Sequence, residues 1–327
     1  MKRLFKRLLA GLGILVAVGL VFVVVRFYAF FPKVNAAPDV KAPDDPATIA
    51  RGEYLVKNVC SCLNCHSDAD DGEPGQPIAP GAPLGAGRHF AAAHGFPTAT
   101  GGDAYAPNMT SSKTYGFGGL TDGEILRAMR EGIGHDGRPL FLLMPYQSYR
   151  DLTDDDALAI IAYIRTLPAV EKDAPRSTTL KFPASMVMRS VPLPVEKPAS
   201  PPPPNDQLAR GNYLLKIALC HNCHDTQDRI HRPLEGMELA GGTPYHFSKG
   251  TAIPANISSD QATGIGAYSD EDILRAITQG KTRNGRSIYL MSWQNYANMT
   301  DADKKAIVAA LRAAPPQSHV VPPSDVR

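Results

Sequence analysis

The segment 60–68 reads CSCLNCHSD and contains the motif C-x-x-C-H, formed by Cys62, Cys65 and His66. A second copy, CHNCH, occupies positions 220–224, which is 158 positions further along the chain. Two cysteines three positions apart lie on the same side of one helical turn, and the next residue places an imidazole above them. The pattern therefore predicts two short helical segments that each present two thiols and one imidazole together.

The motif belongs to a longer internal repeat. Other matching pairs are RGEYLV at 51–56 with RGNYLL at 210–215, PNMTSS at 107–112 with ANISSD at 255–260, LTDGEILRAMREG at 120–132 with YSDEDILRAITQG at 268–280, and MPYQSYRDLTDDD at 144–156 with MSWQNYANMTDAD at 291–303. The separation falls from 158 to 147 positions, so a glycine- and proline-rich loop is shorter in the second copy. The repeat predicts two domains, at 45–168 and 207–313, and a tail at 314–327.

Helices are predicted at the ends of each copy. Four Ser/Thr-x-x-Asp/Glu patterns resemble helix capping boxes, at Thr121, Thr153, Ser269 and Thr300. Strand-like alternation is scarce, so the chain is predicted to be all-α. Between the copies, 171–206 contains nine prolines, which predicts an extended linker over 169–206, lying as a strap across both domains.

The amino terminus predicts export. Four basic residues within 2–7 precede an uncharged apolar run at 8–25, and these eighteen residues are enough to cross a bilayer as a helix. A membrane anchor at 1–32 and a cleaved signal peptide, with small residues at Val34 and Ala36, both fit. Either alternative leaves the positive end in the cytoplasm and exports the rest.

The paired motifs predict covalent haem. Two thiols on one helical turn can add to the vinyl groups of a haem while the following histidine binds its iron. Cys62, Cys65, Cys220 and Cys223 are the predicted attachment residues, and His66 and His224 the first axial ligands. A zinc site usually needs its two C-x-x-C pairs closer together, a thioredoxin-like pair needs a βαβ context, and structural disulfides do not explain the histidine.

A second axial ligand is predicted from the repeat. Met144 and Met291 recur although their neighbours change, and a His/Met pair raises the reduction potential. His89 and His246 also recur, as alternative ligands or as neighbours of the haem. The unrepeated histidines are predicted to be surface or loop residues: His94, His135, His231 and His319.

The charge of the chain does not indicate nucleic-acid binding, and no acidic or basic run marks a docking surface. The formal net charge is +2 and aromatic residues make up 7% of the chain, so nothing indicates nucleic acid. Arg138 and Arg286 recur before the methionines, where they fit either a contact with haem propionates or a solvated loop.

The motifs R-G-x-Y-L, C-x-x-C-H, N-[IM]-[ST]-S and M-P-Y-x-x-Y-x-x-L-T-D-x-D resemble the cytochrome c subunits of membrane-bound alcohol, aldehyde and gluconate dehydrogenases. The resemblance covers 50–168 and 207–313. It implies two tandem class I cytochrome c domains on the periplasmic face of a bacterial inner membrane. Such subunits take electrons from a dehydrogenase and pass them to quinone or a terminal oxidase. They usually have three haems and a C-terminal membrane contact, whereas this sequence predicts two haems and an N-terminal anchor.

The leading hypothesis is therefore a membrane-anchored dihaem electron carrier that needs no catalytic residue. The alternative is a dihaem enzyme, such as a peroxidase or a thiosulfate dehydrogenase. In such an enzyme one iron keeps an open position, so one copy would have lost its methionine. Both copies retain it.

Cys60 is the fifth cysteine, and its counterpart in the second copy is Ala218. Cys60 lies two residues before the attachment site, on the same predicted helix. Its sulfur therefore cannot reach the far face of the haem. We expect Cys60→Ala to keep both haems and Cys62→Ala to lose one, as measured by haem content per chain. Loss of a haem from Cys60→Ala contradicts this assignment.

Overall fold

The computed structural model describes residues 2–70, 72–90, 104–174, 178, 181–228, 232–247 and 249–326. Most of its regular structure is helical, which confirms the prediction of a helical chain. The assignment of two class I cytochrome c domains stays a prediction. The terms first half and second half denote the repeated segments 45–168 and 207–313.

Helix α1, Lys2–Phe30, forms the N-terminal apolar segment. Its 29 residues extend about 44 Å at ~1.5 Å per residue, more than the ~30 Å hydrocarbon layer of a bilayer. Its most apolar window has a mean hydropathy of 3.0, and none of its residues is buried in the protein. The helix fits a membrane anchor, and a signal sequence near the N-terminus has the same features.

Apart from one π-helical turn in the first half, the two halves contain the same elements in the same order. The first half has α2 (Pro46–Tyr54), a π-helical turn (Leu55–Val59), α3 (Cys62–His66), β1 (Arg88–Phe90), β2 (Ala104–Ala106), α4 (Asp122–Glu131), α5 (Tyr146–Tyr149) and α6 (Asp154–Thr166). Helix α7 (Ala184–Met188) follows in the linker. The second half and tail have α8 (Gln207–Ile217), α9 (Cys220–His224), β3 (Tyr245–Phe247), β4 (Gly250–Ala252), α10 (Asp270–Gln279), α11 (Trp293–Ala297), α12 (Asp301–Ala313) and β5 (Asp325–Val326).

Short strands are the departure from the all-α prediction. Strands β1 and β2 pair antiparallel with Arg88 opposite Ala106, and β3, β4 and β5 form a second antiparallel sheet in that order. Each strand has three residues or fewer, so none can show the alternation by which strands are recognised in a sequence. Strand β5 places the predicted tail against the second half.

The first and last helices of each half cross at a glycine. A Cβ atom on Gly52 of α2 would lie 1.8 Å from the carbonyl oxygen of Ala159 in α6. A Cβ atom on Gly211 of α8 would lie 2.0 Å from the carbonyl oxygen of Ala306 in α12. Only glycine allows two backbones to approach this closely, which explains why the R-G pair occurs in both copies.

Two of the four predicted capping boxes form completely. Thr121 accepts the N–H of Glu124, and the Glu124 carboxylate accepts the N–H of Thr121. At α6 only one of the two bonds of the capping box forms, in which the Thr153 hydroxyl accepts the N–H of Asp156. The other bond is missing because the carboxylate of Asp156 accepts two bonds of 2.8 Å from Arg51. The second half repeats both arrangements with Ser269, Asp272, Thr300, Asp303 and Arg210.

The first half has one residue more between its R-G and cysteine motifs than the second half. The π-helical turn Leu55–Val59 absorbs this residue, because the N–H of Cys60 bonds to the Leu55 carbonyl, five residues back, at 2.8 Å. In the second half the N–H of Ala218 bonds to the Leu214 carbonyl, four residues back, at 2.8 Å. The two cysteine motifs therefore follow their helices in equivalent positions.

The two halves contact each other reciprocally. The Tyr54 hydroxyl donates to Asp303 at 2.6 Å, and the equivalent Tyr213 hydroxyl donates to Asp156 at 2.7 Å. Burial and the bond to Asp303 raise the pKa of Tyr54 to about 12. Buried residues of both halves belong to one hydrophobic core. The halves thus pack like two subunits related by an approximate twofold axis.

The linker lies along the first half in its described contacts. The side-chain amide of Asn108 donates to the carbonyls of Val170 and Lys172, at 2.8 and 3.1 Å. Near the other end of the linker, Arg150 donates to the Pro194 carbonyl at 2.9 Å. These bonds hold both ends of the linker on the first half, and the strap across both halves stays a prediction.

The glycine crossing makes a stability prediction. Gly52→Ala forces α2 away from α6, and we expect it to cost about 1–3 kcal/mol of unfolding free energy. Gly119→Ala is the matched control, because its Cβ atom would lie 3.6 Å from the nearest atom, an ordinary contact. Denaturant titration measures both variants. Equal stability of the two variants contradicts the role of Gly52.

Candidate functional site

Each cysteine motif forms a short helix whose histidine is oriented by a backbone carbonyl. The Nδ1 atom of His66 in α3 lies 2.8 Å from the Pro107 carbonyl oxygen, and that of His224 in α9 lies 2.7 Å from the Ala255 carbonyl oxygen. Because a carbonyl only accepts, Nδ1 carries the proton and Nε2 keeps its lone pair. Burial lowers the pKa of both histidines, which favours the neutral imidazole.

The loop that supplies this carbonyl is held by an asparagine. The side-chain oxygen of Asn108 accepts the N–H and the hydroxyl of Thr110, at 2.9 and 2.7 Å, while its amide group binds the linker. Asn256 makes the same two bonds to Ser258, and its amide donates to the Gln317 carbonyl at 2.7 Å. The recurring asparagines therefore fix the loops that orient the two imidazoles.

A tyrosine links each cysteine motif to the segment with the candidate methionine. The Tyr149 hydroxyl donates to the Cys60 carbonyl at 2.7 Å, and the Tyr296 hydroxyl donates to the Ala218 carbonyl at 2.8 Å. The residue after each acceptor has a left-handed backbone, with φ 52° at Ser61. The recurring Gln-x-Tyr pattern after the methionine thus has a structural role.

Met144 and Met291 occupy equivalent loops. The Met144 carbonyl accepts the N–H of Tyr146 at 2.8 Å, and the Met291 carbonyl accepts the N–H of Trp293 at 2.8 Å. Met144 and Cys62 are both partly buried and pack against the hydrophobic core. Their assignment as axial ligands stays a prediction.

Burial favours the protonated form of three of the motif thiols. Burial raises the pKa of Cys220 to about 12 and that of Cys223 to about 11, and it also raises the pKa of Cys65. The described residues contain no group of three or more His, Cys, Asp or Glu side chains that could hold a metal ion.

Cys60 does not lie on the attachment helix, contrary to the sequence prediction. It follows the π-helical turn, and the left-handed Ser61 separates it from α3. The left-handed residue causes this difference, and the second half has the same break, with Leu219 at φ 64° between α8 and α9. Cys60 is buried in the core, and a hydrogen bond with the Cys62 thiol together with burial raises the pKa of its own thiol.

Arg88 and Tyr245 are site residues that the sequence analysis missed. Arg88 is buried and donates to the Asn64 carbonyl in α3 at 2.9 Å, while the Tyr245 hydroxyl donates to the Asn222 carbonyl in α9 at 3.3 Å. They hold equivalent positions, but their side chains differ. The only available signal was the neighbouring His-Phe pair, which recurs in both copies.

The other candidate polar residues lie nearer the surface. His89 is exposed and stacks on Tyr105 with ring centroids 4.6 Å apart, and the Nδ1 atom of the exposed His246 lies 3.1 Å from the Thr251 hydroxyl. Arg138 pairs with Asp136 at 3.1 Å. The remaining candidates are the exposed Arg286, the exposed loop residue His135, His319 with its Nδ1 atom 3.0 Å from the Ala240 carbonyl, and His94 and His231, which lie outside the described residues.

Two buried polar atoms test whether the site fits a haem. Among the described residues, the Tyr146 hydroxyl and the Trp293 indole nitrogen are buried without a hydrogen-bond partner. Both residues follow a candidate methionine by two positions and pack on the glycine that ends α4 or α10. A buried donor without an acceptor is costly, so these donors favour a bound group with acceptor atoms, as haem propionates supply. The residues present fit a haem in each half.

The two motif helices also contact the opposite half. The Asn295 amide of α11 donates to the Asn64 side chain of α3 at 2.7 Å, and Ser148 of α5 bonds to the Asn222 side chain of α9. Each cysteine motif is therefore tied to the methionine segment of the other half, and the two candidate sites form one structural unit.

Comparison with known proteins finds similar sequences among the cytochrome subunits of dehydrogenases. The fructose dehydrogenase cytochrome subunit of Gluconobacter japonicus is 32% identical over 283 residues, which cover 83% of this chain and 54% of that protein. The gluconate 2-dehydrogenase cytochrome c subunit of Pantoea cypripedii is 29% identical over 259 residues, which cover 75% of this chain and 54% of that protein. The chain is a homologue of these cytochrome c subunits.

A third relative matches more completely in length. A diheme cytochrome c-type protein of Cereibacter sphaeroides is 25% identical over 278 residues, which cover 81% of this chain and 86% of that protein. No protein-family model matches the chain. This chain matches about half the length of each of the two dehydrogenase subunits. The predicted resemblance to dehydrogenase cytochrome c subunits is confirmed.

Proposed function

We propose that this chain is a membrane-anchored dihaem c-type cytochrome that carries electrons from a periplasmic dehydrogenase to a quinone or a terminal oxidase. Cys62 and Cys65 attach one haem, with His66 and Met144 as axial ligands. Cys220, Cys223, His224 and Met291 do the same for the second. The segments 45–168 and 207–313 are then two class I cytochrome c domains joined by the linker.

The observation that supports this most strongly is the repeated bond from histidine Nδ1 to a backbone carbonyl. A histidine that binds iron needs a free Nε2 atom, and a hydrogen bond from Nδ1 fixes both the tautomer and the ring orientation. Both halves have this bond, at 2.8 and 2.7 Å, immediately after a C-x-x-C pair. A structural histidine has no need of two adjacent thiols in both copies.

Bound haem supplies one-electron redox chemistry. The protein supplies orientation and electrostatics. The carbonyls of Pro107 and Ala255 hold the imidazoles, and a neutral methionine thioether favours the reduced iron. Tyr146 and Trp293 offer buried donors to acceptor groups. No residue is assigned to substrate chemistry, so the chain acts as a carrier rather than as an enzyme.

Helix α1 is proposed to anchor the chain in a bacterial inner membrane. Its basic residues precede the apolar run, so the positive-inside rule leaves the N-terminus in the cytoplasm and both halves in the periplasm. The named relatives are subunits of fructose and gluconate dehydrogenases, which supports a dehydrogenase as electron donor. The donor's substrate and the acceptor remain part of the proposal, since the chain matches only about half of those relatives.

Adding cyanide during a redox titration tests whether both axial positions of each haem iron are occupied. In the oxidised wild-type protein, we expect neither haem to bind cyanide readily. Met144→Leu keeps the side-chain volume but removes the sulfur, so one of the two haems should bind cyanide and have a lower potential. Met109→Leu, at a buried core methionine, is the matched control and should behave like wild type. Ready cyanide binding by one wild-type haem contradicts the carrier and favours a dihaem peroxidase or thiosulfate dehydrogenase.

Purification from native membranes in mild detergent tests the donor. We expect a dehydrogenase to accompany the chain, and its substrate, chosen among alcohols, aldehydes, sugars and sugar acids, to reduce the haems. Membranes from cells without the chain provide the control, because dehydrogenase is present there but these haems are not. An accompanying oxidase with no substrate-driven reduction places the chain on the acceptor side instead.

A further inference from the structure

The linker exposes large apolar side chains around helix α7. The segment 181–193, called the α7 segment, reads KFPASMVMRSVPL. Phe182 is 67% exposed, Val187 49% and Leu193 44%. A strap that only connected two halves could be polar throughout, as exposed connections usually are. These side chains therefore call for an apolar neighbour.

The α7 segment lies beside the end of the apolar helix α1. Helix α7 contacts α1, and the guanidinium of Arg189 lies 4.8 Å from the centre of the Tyr28 ring. Tyr28 is close to the end of α1 at Phe30. In a membrane-spanning helix this position lies at the boundary between acyl chains and headgroups, where tyrosine rings are common.

The charges of the α7 segment fit a phospholipid surface. It contains Lys181 and Arg189 but no acidic residue, and the exposed Lys33 follows α1. Apolar side chains next to lysine and arginine are typical of segments that lie in the interfacial layer, where the basic groups contact phosphates.

The other face of the same segment is fixed to the protein. Met188 is buried, and just beyond the segment the N–H of Val195 donates to the Glu131 carboxylate at 2.9 Å. Arg150 donates to the Pro194 carbonyl at 2.9 Å. The exposed side chains therefore sit on a segment that the first half holds in place beside α1.

We propose that the α7 segment lies in the interfacial layer of the bilayer that α1 spans, with Phe182 and Val187 among the upper acyl chains and Lys181 near the phosphates. This interaction rests on the anchor in the proposed function. It gives the first half a second contact with the membrane. That contact restricts rotation about α1 and holds one face of the first half toward the lipid.

Site-directed spin labelling of the full haem-loaded chain in lipid nanodiscs tests this contact. Nitroxides are placed at Val187→Cys, at Leu15→Cys in α1 and at Val320→Cys, a matched valine that is 79% exposed in the tail. Nanodiscs of phosphatidylethanolamine and phosphatidylglycerol leave both faces open to reagents. The parent chain, in which Cys60 is buried, gives the labelling background.

The measured quantity is collision with oxygen relative to collision with a water-soluble nickel chelate. We expect this ratio to be several-fold higher at position 187 than at 320, and higher again at position 15. Phe182→Cys should give the same result as Val187→Cys. Agreement between the two positions shows that the ratio at 187 does not come from a local disturbance of α7 by one substitution. A water-like ratio at 182 and 187 with a lipid-like ratio at 15 overturns the interfacial contact and keeps the anchor, and it favours a protein partner on this face. Water-like ratios at all positions overturn the anchor itself.

Discussion

The close crossing of the first and last helices is the constraint on which each half depends. Gly52 meets the backbone of α6, and Gly211 meets that of α12, at distances that admit no side chain. This approach also brings Arg51 and Arg210 to the aspartates that begin the last helices. Each cysteine motif follows directly after its first helix, so the crossing fixes where the motif stands relative to the rest of its half. The π-helical turn shows that the position of the cysteine motif relative to its half is constrained. An extra residue is absorbed inside the helix rather than passed on to the motif.

Duplication explains why the halves interact through their own repeat residues. Asp156 accepts from Arg51 of its own half and from Tyr213 of the other, and Asp303 does the same with Arg210 and Tyr54. An interface of this kind is self-complementary, as in a twofold dimer, so one set of residues serves both sides. Because the aspartates also lie in the first turns of α6 and α12, the contact between halves and the fold of each half share the same groups. A change at Asp156 therefore affects both the fold of the first half and its contact with the second half.

The sequence was most informative where function and local geometry coincide. The short helices of the C-x-x-C-H motifs and the helix starts at Thr121 and Ser269 could be predicted, because each depends on neighbouring residues. The contact between Tyr54 and Asp303 could not, since it joins positions 249 residues apart and each residue alone looks ordinary. Arg88 and Tyr245 were missed for another reason. They do the same work with different side chains, and a repeat search finds identity rather than equivalent hydrogen bonding.

In the proposed carrier, in which each histidine binds a haem iron, the backbone carbonyl that partners the histidine has a chemical consequence. A carboxylate in that place would make the imidazole a stronger donor to iron, and its protonation would make the ligand strength depend on pH. A carbonyl does not titrate. Pro107 lies in a loop that Asn108 ties to the linker, and Ala255 lies in one that Asn256 ties to the tail, so neither acceptor can move away easily. The tautomer of both histidines is thus fixed by the chain itself. A carrier built this way keeps its ligand strength constant while the proton concentration around it changes.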